Sequence, residues 1–435
     1  MSLKTIHKSR VIILVFTCIF LFLLLKIFEK YKLLKNCMEQ EVQFVIDGNF
    51  RAQQWNWTEK QRINITLSNG ARRNITEFTD RIMLESMNGH LVVGKRHSTV
   101  PKTEKEKVLV QSNRIKRGRV WNENMSSKDL AMRLQKVRSH FQKINKYNVS
   151  YQGTFGQKLS PQSILCQLRD RVNMSTIERS ELPPEASYWS DYLPIESFQK
   201  KVGRLGRCAV VSSAGSMKFS KLGEEIDSHD AVIRFNAAPT SGFEEDVGTK
   251  TTFRLLNSQL VSESNLRFLE DPMYRTGILL MWDPSQYKAD LRQWHLNPDY
   301  KFYDRFVKYR RMNPEQPFYI LNPQSSWQLW DVIQENSSEK IQPDPPSSGL
   351  LGIVLLMNLC DQVNVYEFVP SKRRTDQCHY YHRFFDQACT MGAYHPLMYE
   401  KNLIKKLNQG DDNTIYYSGK VTLPGLNGLQ CSSQF

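Results

Sequence analysis

Beyond Arg207, short apolar runs alternate with helical segments, and that alternation leaves few folds open. Arg207–Val211 reads as a buried strand, Ser212–Ser216 as a turn, Lys218–Ile226 as a helix and Ala231–Phe235 as the next strand. Gly277–Trp282, Phe318–Leu321 and Val363–Phe368 read as further strands, with helices over 325–336 and 348–360 separating some of them. The expectation is an α/β sandwich around a mostly parallel sheet. Upstream, Leu130, Leu134, Val137 and Phe141 recur at helical spacing behind Ser127, a suitable helix cap, so order is expected to begin near Val120–Trp121. No internal repeat is present.

The N-terminus points to a compartment. Val11 to Leu25 is uncharged and apolar, preceded by Lys4, Lys8 and Arg10 and followed by Lys26-Ile27-Phe28-Glu29 with no small-residue cleavage site. It reads as an uncleaved signal-anchor over 11–26, after a cytoplasmic tail over 1–10. The span is short, which suits the thinner membranes of the early secretory pathway, and Lys26 can snorkel. Residues 27–119 are polar and poorly periodic and read as a luminal stem; 120–435 is the expected catalytic domain. Asn-x-Ser/Thr sequons at Asn56, Asn64, Asn74, Asn124, Asn148, Asn173 and Asn336 favour a luminal C-terminal part. Cys166, Cys208, Cys360, Cys378, Cys389 and Cys431 form an even distal set that an oxidising lumen would pair, in any of fifteen ways. Cys18 and Cys37 lie in and just beyond the anchor, with no role legible. Arg114-Ile115-Lys116-Arg117 suits a dibasic-cutting protease or is simply an uncut basic stretch.

The formal charge of +15 invites a nucleic-acid partner, but no zinc-knuckle, helix-turn-helix or aromatic RNA-binding pattern accompanies it. Basic residues concentrate in the first third, where a solvated segment accounts for them. No Cys-x-x-Cys and no Asp-x-Asp occurs, so no metal and no cofactor is expected.

Three segments could carry chemistry. The small residues Ser212–Ser216 let a ligand approach the backbone, and the following helix offers N–H groups to a phosphate; a plain tight turn is the alternative. Pro343–Gly352 delivers Ser347, Ser348 and Gly349 to the start of an apolar helix, as caps or as an anion or ribose site. Pro396 suits a first helical position and would place His395 at the cap, where the imidazole tends to stay neutral and able to take a proton.

These residues resemble the animal sialyltransferases. Cys208–Ser216 through Asp230–Asn236 and Val247–Thr252 resembles the large sialylmotif, and Pro345–Gly349 through Cys360–Val363 the small one. His379-Tyr380-Tyr381, beside Cys378, resembles the third motif, and His395 with Glu400 the very small motif. The likeness extends over about 120–435. It implies a Rossmann-like sandwich, a variant of the glycosyltransferase A fold, in a single-pass type II Golgi membrane protein, secreted if the stem is cut. It implies that Ser213, Asn236, Asn257, Ser347, Ser348, Gly349, Thr390, Tyr394 and Lys401 hold the CMP-sialic acid donor. Asp299, Tyr300, Tyr394 and His382 would face the acceptor sugar, and His395 would be the base. It also implies the pairs Cys166–Cys431, Cys208–Cys360 and Cys378–Cys389. His379 stands where close relatives carry tyrosine, and His382 where the motif prefers an acidic residue or glutamine.

The implied reaction moves sialic acid from CMP-sialic acid to the 6-hydroxyl of terminal β-galactose (Gal-β-1,4-GlcNAc) on glycoprotein N-glycans, by one inverting displacement. Rival readings are a sialyltransferase of another linkage and a luminal glycan-binding protein that kept the fold and lost catalysis. Oligomeric state is not legible, a homodimer being one assembly open to the chain.

Overall fold

The computed structural model describes residues 121–431. The expected tail, anchor, stem, basic stretch Arg114–Arg117, Cys18, Cys37 and the sequons at Asn56, Asn64 and Asn74 lie outside those residues. Among the described residues, no helix is long and apolar enough to cross a membrane.

Seven strands form one sheet: β1 Leu205–Val211, β2 Ala231–Phe235, β3 Phe253–Asn257, β4 Ile278–Trp282, β5 Phe318–Ile320, β6 Cys360–Tyr366 and β7 Lys420–Pro424. Their order is β5-β4-β3-β2-β1-β6-β7. Every neighbouring pair is parallel except β6 with β7. The strands alternate strictly: Cys208, Val210, Ile233, Leu255 and Leu280 enter one core. Ala209, Val211 and Val232 enter a second, and Leu256, Leu279 and Met281 a third. Both faces of the sheet are therefore covered, as parallel sheets require.

The helices used below are α1 Met132–Ile144, α2 Pro161–Arg171, α3 Tyr303–Met312, α4 Gln324–Glu335, α5 Ser348–Leu359 and α6 Leu397–Lys406. α5 is apolar nearly all round and nine of its residues are buried, because it lies directly on the sheet. Gly352 makes the close approach: a Cβ there would stand 2.6 Å from the Phe235 ring. On the opposite face, Phe306 of α3 packs with Trp189, Trp294 and Phe302. Disulfides join Cys166 of α2 to Cys431, Cys208 of β1 to Cys360 of β6, and Cys378 to Cys389.

Several expected boundaries change. Ser127 does not cap α1; its N–H and hydroxyl donate to Glu339 at 2.5 and 2.7 Å, and the helix starts at Met132. The helix expected over Lys218–Ile226 shrinks to Gly223–Asp227. Phe219 and Lys221 are left-handed there, because the Asp246 carboxylate draws both their N–H groups out of helical geometry. β6 stops at Tyr366, short of the expected Phe368, because Glu367 is left-handed. Strands β3 and β7 carry no prior expectation.

Candidate functional site

In an open parallel sheet, ligands bind beyond the carboxyl ends of the strands where the strand order reverses. Here the chain runs outward from β1 to β5 and then returns to place β6 on the other side of β1. A cavity opens at that switch point, walled by Ser212 and Ser213 after β1, Asn236 after β2, Asn257 at the end of β3 and Glu367 and Phe368 after β6.

Backbone hydrogen bonds lace this wall to the third-motif loop. Gly215 N donates to Gln377 O at 3.2 Å and Tyr380 N to Ser213 O at 3.1 Å. A Cβ on Gly215 would lie 2.4 Å from Gln377 O, so only glycine allows this approach. The Cys378–Cys389 bond closes the loop, and Cys378, His379, Cys389 and Thr390 line the cavity. Asn236 is left-handed and its Oδ1 accepts from Asn257 N at 3.0 Å. Asn257 Oδ1 in turn caps the short helix Ser258–Ser262 by accepting from Leu260 N at 3.0 Å.

The start of α5 forms the floor. Ser347 Oγ accepts from Leu350 N at 3.2 Å, so the residue does cap the helix. The hydroxyl also donates to Glu400, which accepts from Ser347 N at 2.8 Å as well. Burial pushes the Glu400 carboxyl up to about 7, against those two hydrogen bonds. Ser348 Oγ accepts from Trp282 Nε1 at 2.8 Å, and Ser348 and Gly349 face the cavity. Lys401 and Arg374 bring positive charge to the same wall. Burial pushes the Lys401 ammonium down to about 8, opposed by Glu400 and Glu367, so it stays charged at neutral pH.

α6 begins one residue later than expected. Pro396 is the cap and Leu397 the first helical residue, which puts His395 before the helix and not at its cap. His395 is neutral for a different reason. The protein packed around the ring pushes its pKa down to about 4, although one side opens on the cavity. Its Nδ1 lies 2.7 Å from Pro345 O. A carbonyl only accepts, so the proton sits on Nδ1 and Nε2 is left as an acceptor.

His395 and Asn257 also line a second cavity, with Phe141, Lys146, Trp282, Asp299, Tyr300, Asp344 and Tyr394. Tyr394 packs edge-on to His395, ring centres 4.8 Å apart, and its hydroxyl meets that of Tyr147 at 2.5 Å. Lys146 and Asp299 pair at 2.6 Å. Of the expected donor residues, Tyr394 lines only this second cavity, while the others line the first. His382 lines neither cavity. It packs on Tyr381 and His379, ring centres 4.3 and 5.7 Å away. Tyr380 and Tyr381 also stand outside both cavities. Tyr380 donates to Pro239 O at 2.5 Å, and Tyr381 stacks on His379 at 5.2 Å.

Sequence reasoning missed Asp283, which organises the second cavity from behind. Its buried carboxylate accepts from Ser258 Oγ, Trp294 Nε1, Asp299 N and Tyr300 N, fixing the Asp299–Tyr300 turn. Burial pushes it up to about 7. An acidic residue closing an apolar strand was the available signal. No cluster of metal-ligating side chains is found among the described residues.

Residues 169–411 match the model of glycosyltransferase family 29 (sialyltransferase). Over 313 residues the chain is 58% identical to beta-galactoside alpha-2,6-sialyltransferase 1 of Homo sapiens, covering 72% of this chain and 77% of that protein. The Mus musculus protein of the same name is 55% identical over 313 residues, with the same coverage, 72% and 77%. Beta-galactoside alpha-2,6-sialyltransferase 2 of Xenopus tropicalis is 48% identical over 315 residues, 72% of this chain and 61% of that protein. The chain belongs to glycosyltransferase family 29, the sialyltransferases.

Proposed function

We propose that the protein transfers sialic acid from CMP-sialic acid to the 6-hydroxyl of terminal β-galactose on N-glycans, from a luminal Golgi site and without a metal. One observation carries this reading: two cavities meet at His395, whose Nε2 is an acceptor. The names of the relatives support the linkage and the galactose acceptor.

The first cavity has the chemistry for the nucleotide. Lys401 and the free N–H groups at the start of α5 favour a phosphate. Ser213, Asn236 and Asn257 offer polar contacts to ribose and base. The second cavity has hydroxyl and carboxyl groups suited to a neutral sugar. In the transfer, the 6-oxygen of galactose forms a bond to the anomeric carbon of sialic acid. The bond from that carbon to the CMP phosphate oxygen breaks and carries its electron pair to CMP. The proton of the 6-hydroxyl passes to His395 Nε2. Leaving phosphate charge is met by hydrogen bonds and the helix end, which act strongly where water is excluded.

The test is to incubate the enzyme with CMP-sialic acid and a galactose-terminated N-glycan, with and without EDTA, and to determine the linkage formed. An α-2,6 product in both arms is expected. An α-2,3 product would overturn the linkage, and glycan binding without CMP release would make the protein a lectin. Loss of activity in EDTA, restored by manganese, would overturn metal independence.

A further inference from the structure

The described residues satisfy most of their buried carboxyl groups. Asp283 accepts from four donors. Glu400 accepts from the N–H and the hydroxyl of Ser347. Glu367, fully buried, pairs with Arg373 and accepts from Ser371 N. Asp344 departs from this pattern. It is 1% exposed, and its Oδ2 has no hydrogen-bond partner among the described residues. Leaving such a group unsatisfied in an interior is costly, and a fold does not keep one for its own stability.

Its position says what could use it. Asp344 lines the second cavity with Asp299, Tyr300, Tyr394 and His395. The next residue, Pro345, supplies the carbonyl that holds His395 Nδ1. The carboxyl is thus placed by the same short, proline-stiffened segment that orients the base. Burial pushes Asp344 well above the ordinary carboxylate range; Lys146 pulls the other way and Asp299 adds to the rise. Its unpartnered Oδ2 is free to accept a hydrogen bond from a sugar hydroxyl.

We propose that Asp344 is an acceptor-recognition residue, its carboxyl hydrogen-bonding a ring hydroxyl of the galactose whose 6-oxygen reacts at His395. This rests on the transfer reading above and adds a specificity contact to it. The partner is a neutral pyranose hydroxyl, since the carboxyl has an oxygen left to accept a hydrogen bond and an anionic substituent would bring no donor to it.

The test compares the parent, Asp344→Ala and Asp344→Asn, with steady-state constants for donor and acceptor. Acceptors are N-acetyllactosamine and its 2-, 3- and 4-deoxygalactose analogues. Asp344→Ala should raise the acceptor KM roughly tenfold, leave the CMP-sialic acid KM within about twofold, and regain most of the loss as Asp344→Asn. For one deoxy analogue the parent should already be impaired and Asp344→Ala should add no further loss, the signature of a direct pair. An unchanged acceptor KM in Asp344→Ala, or an equal added loss on every analogue, overturns the proposal. If Asp344→Ala does not fold, Asp344→Leu, of similar size and without a polar atom, takes its place with the same expected outcomes, and an unchanged acceptor KM in that variant overturns the proposal. A parent that transfers nothing would instead refute the transfer reading, so the two failures are distinguishable.

Discussion

His395 shows how a single side chain can be right for an unexpected reason. Its neutrality was legible in the sequence as a helix-cap effect. The structure moves the cap to Pro396 and assigns the effect to burial, which one sequence does not display. The sign matters for activity. As the proposed base, His395 works when Nε2 is unprotonated, and its folded pKa lies near 4, below the ordinary 6.5. Proton-accepting capacity is therefore complete at pH 6 to 7 and lost only as the pH falls through about 4. The acid limb of kcat for transfer to galactose, followed by CMP release, should lie well below 6.5; a limb centred at 6.5 would mean an ordinary exposed imidazole. His395→Ala should lower kcat by ~10²–10⁴-fold with CMP affinity retained, the usual contribution of a positioned base. Asp283 was signalled only by its place at the end of an apolar strand, and Asp344 by nothing, because what distinguishes them is the partners they have or lack. His382 was read as acceptor-facing from its place in a motif; it packs on Tyr381 and lines neither cavity.

At the scale of elements, the regular parts were legible and the detours were not. Ala231–Phe235 and the helices near 325–336 and 348–360 fall within a residue of expectation, since apolar periodicity decides them. β3 escaped notice because Arg254 interrupts its apolar run; the buried guanidinium is accommodated by Asn236 O and Ala238 O at 2.8 and 3.0 Å. β7 alternates half-buried and buried residues along an edge and reads as loop. The turn after β1 was read as small residues admitting a ligand, but Gly215 also admits the third-motif loop. Gly215→Ala should therefore weaken CMP binding at least about tenfold while the sheet persists, because the clash is with backbone at 2.4 Å and cannot be relieved by a rotamer. Calorimetric titration with CMP beside a far-ultraviolet dichroism spectrum checks this. Undiminished affinity would show that the two loops can separate without consequence.

For the whole molecule, an α/β sandwich with a mostly parallel sheet was legible, whereas the cysteine pairing rested on family likeness, because six thiols within one chain admit many pairings. The disulfides differ in what they constrain. Cys208–Cys360 spans 152 residues and ties β1 to the first residue of the neighbouring β6, while Cys378–Cys389 spans 11 residues in one loop. In the chain-entropy account the longer closure is worth about 5 kcal/mol and the shorter about 3. Replacing Cys208 and Cys360 together by serine should lower the thermal midpoint more than replacing Cys378 and Cys389, and the second change should chiefly lower CMP affinity. A reversed order in paired melting and CMP-binding experiments would show that the loop bond carries the fold. The meeting of two cavities at His395 and Asn257 also has a consequence for traffic. On the proposed reading each substrate has its own chamber, so neither must vacate the protein for the other to enter. Turnover then runs through a complex holding both at once, and the spent nucleotide competes with its parent donor and not with the sugar that receives the cargo.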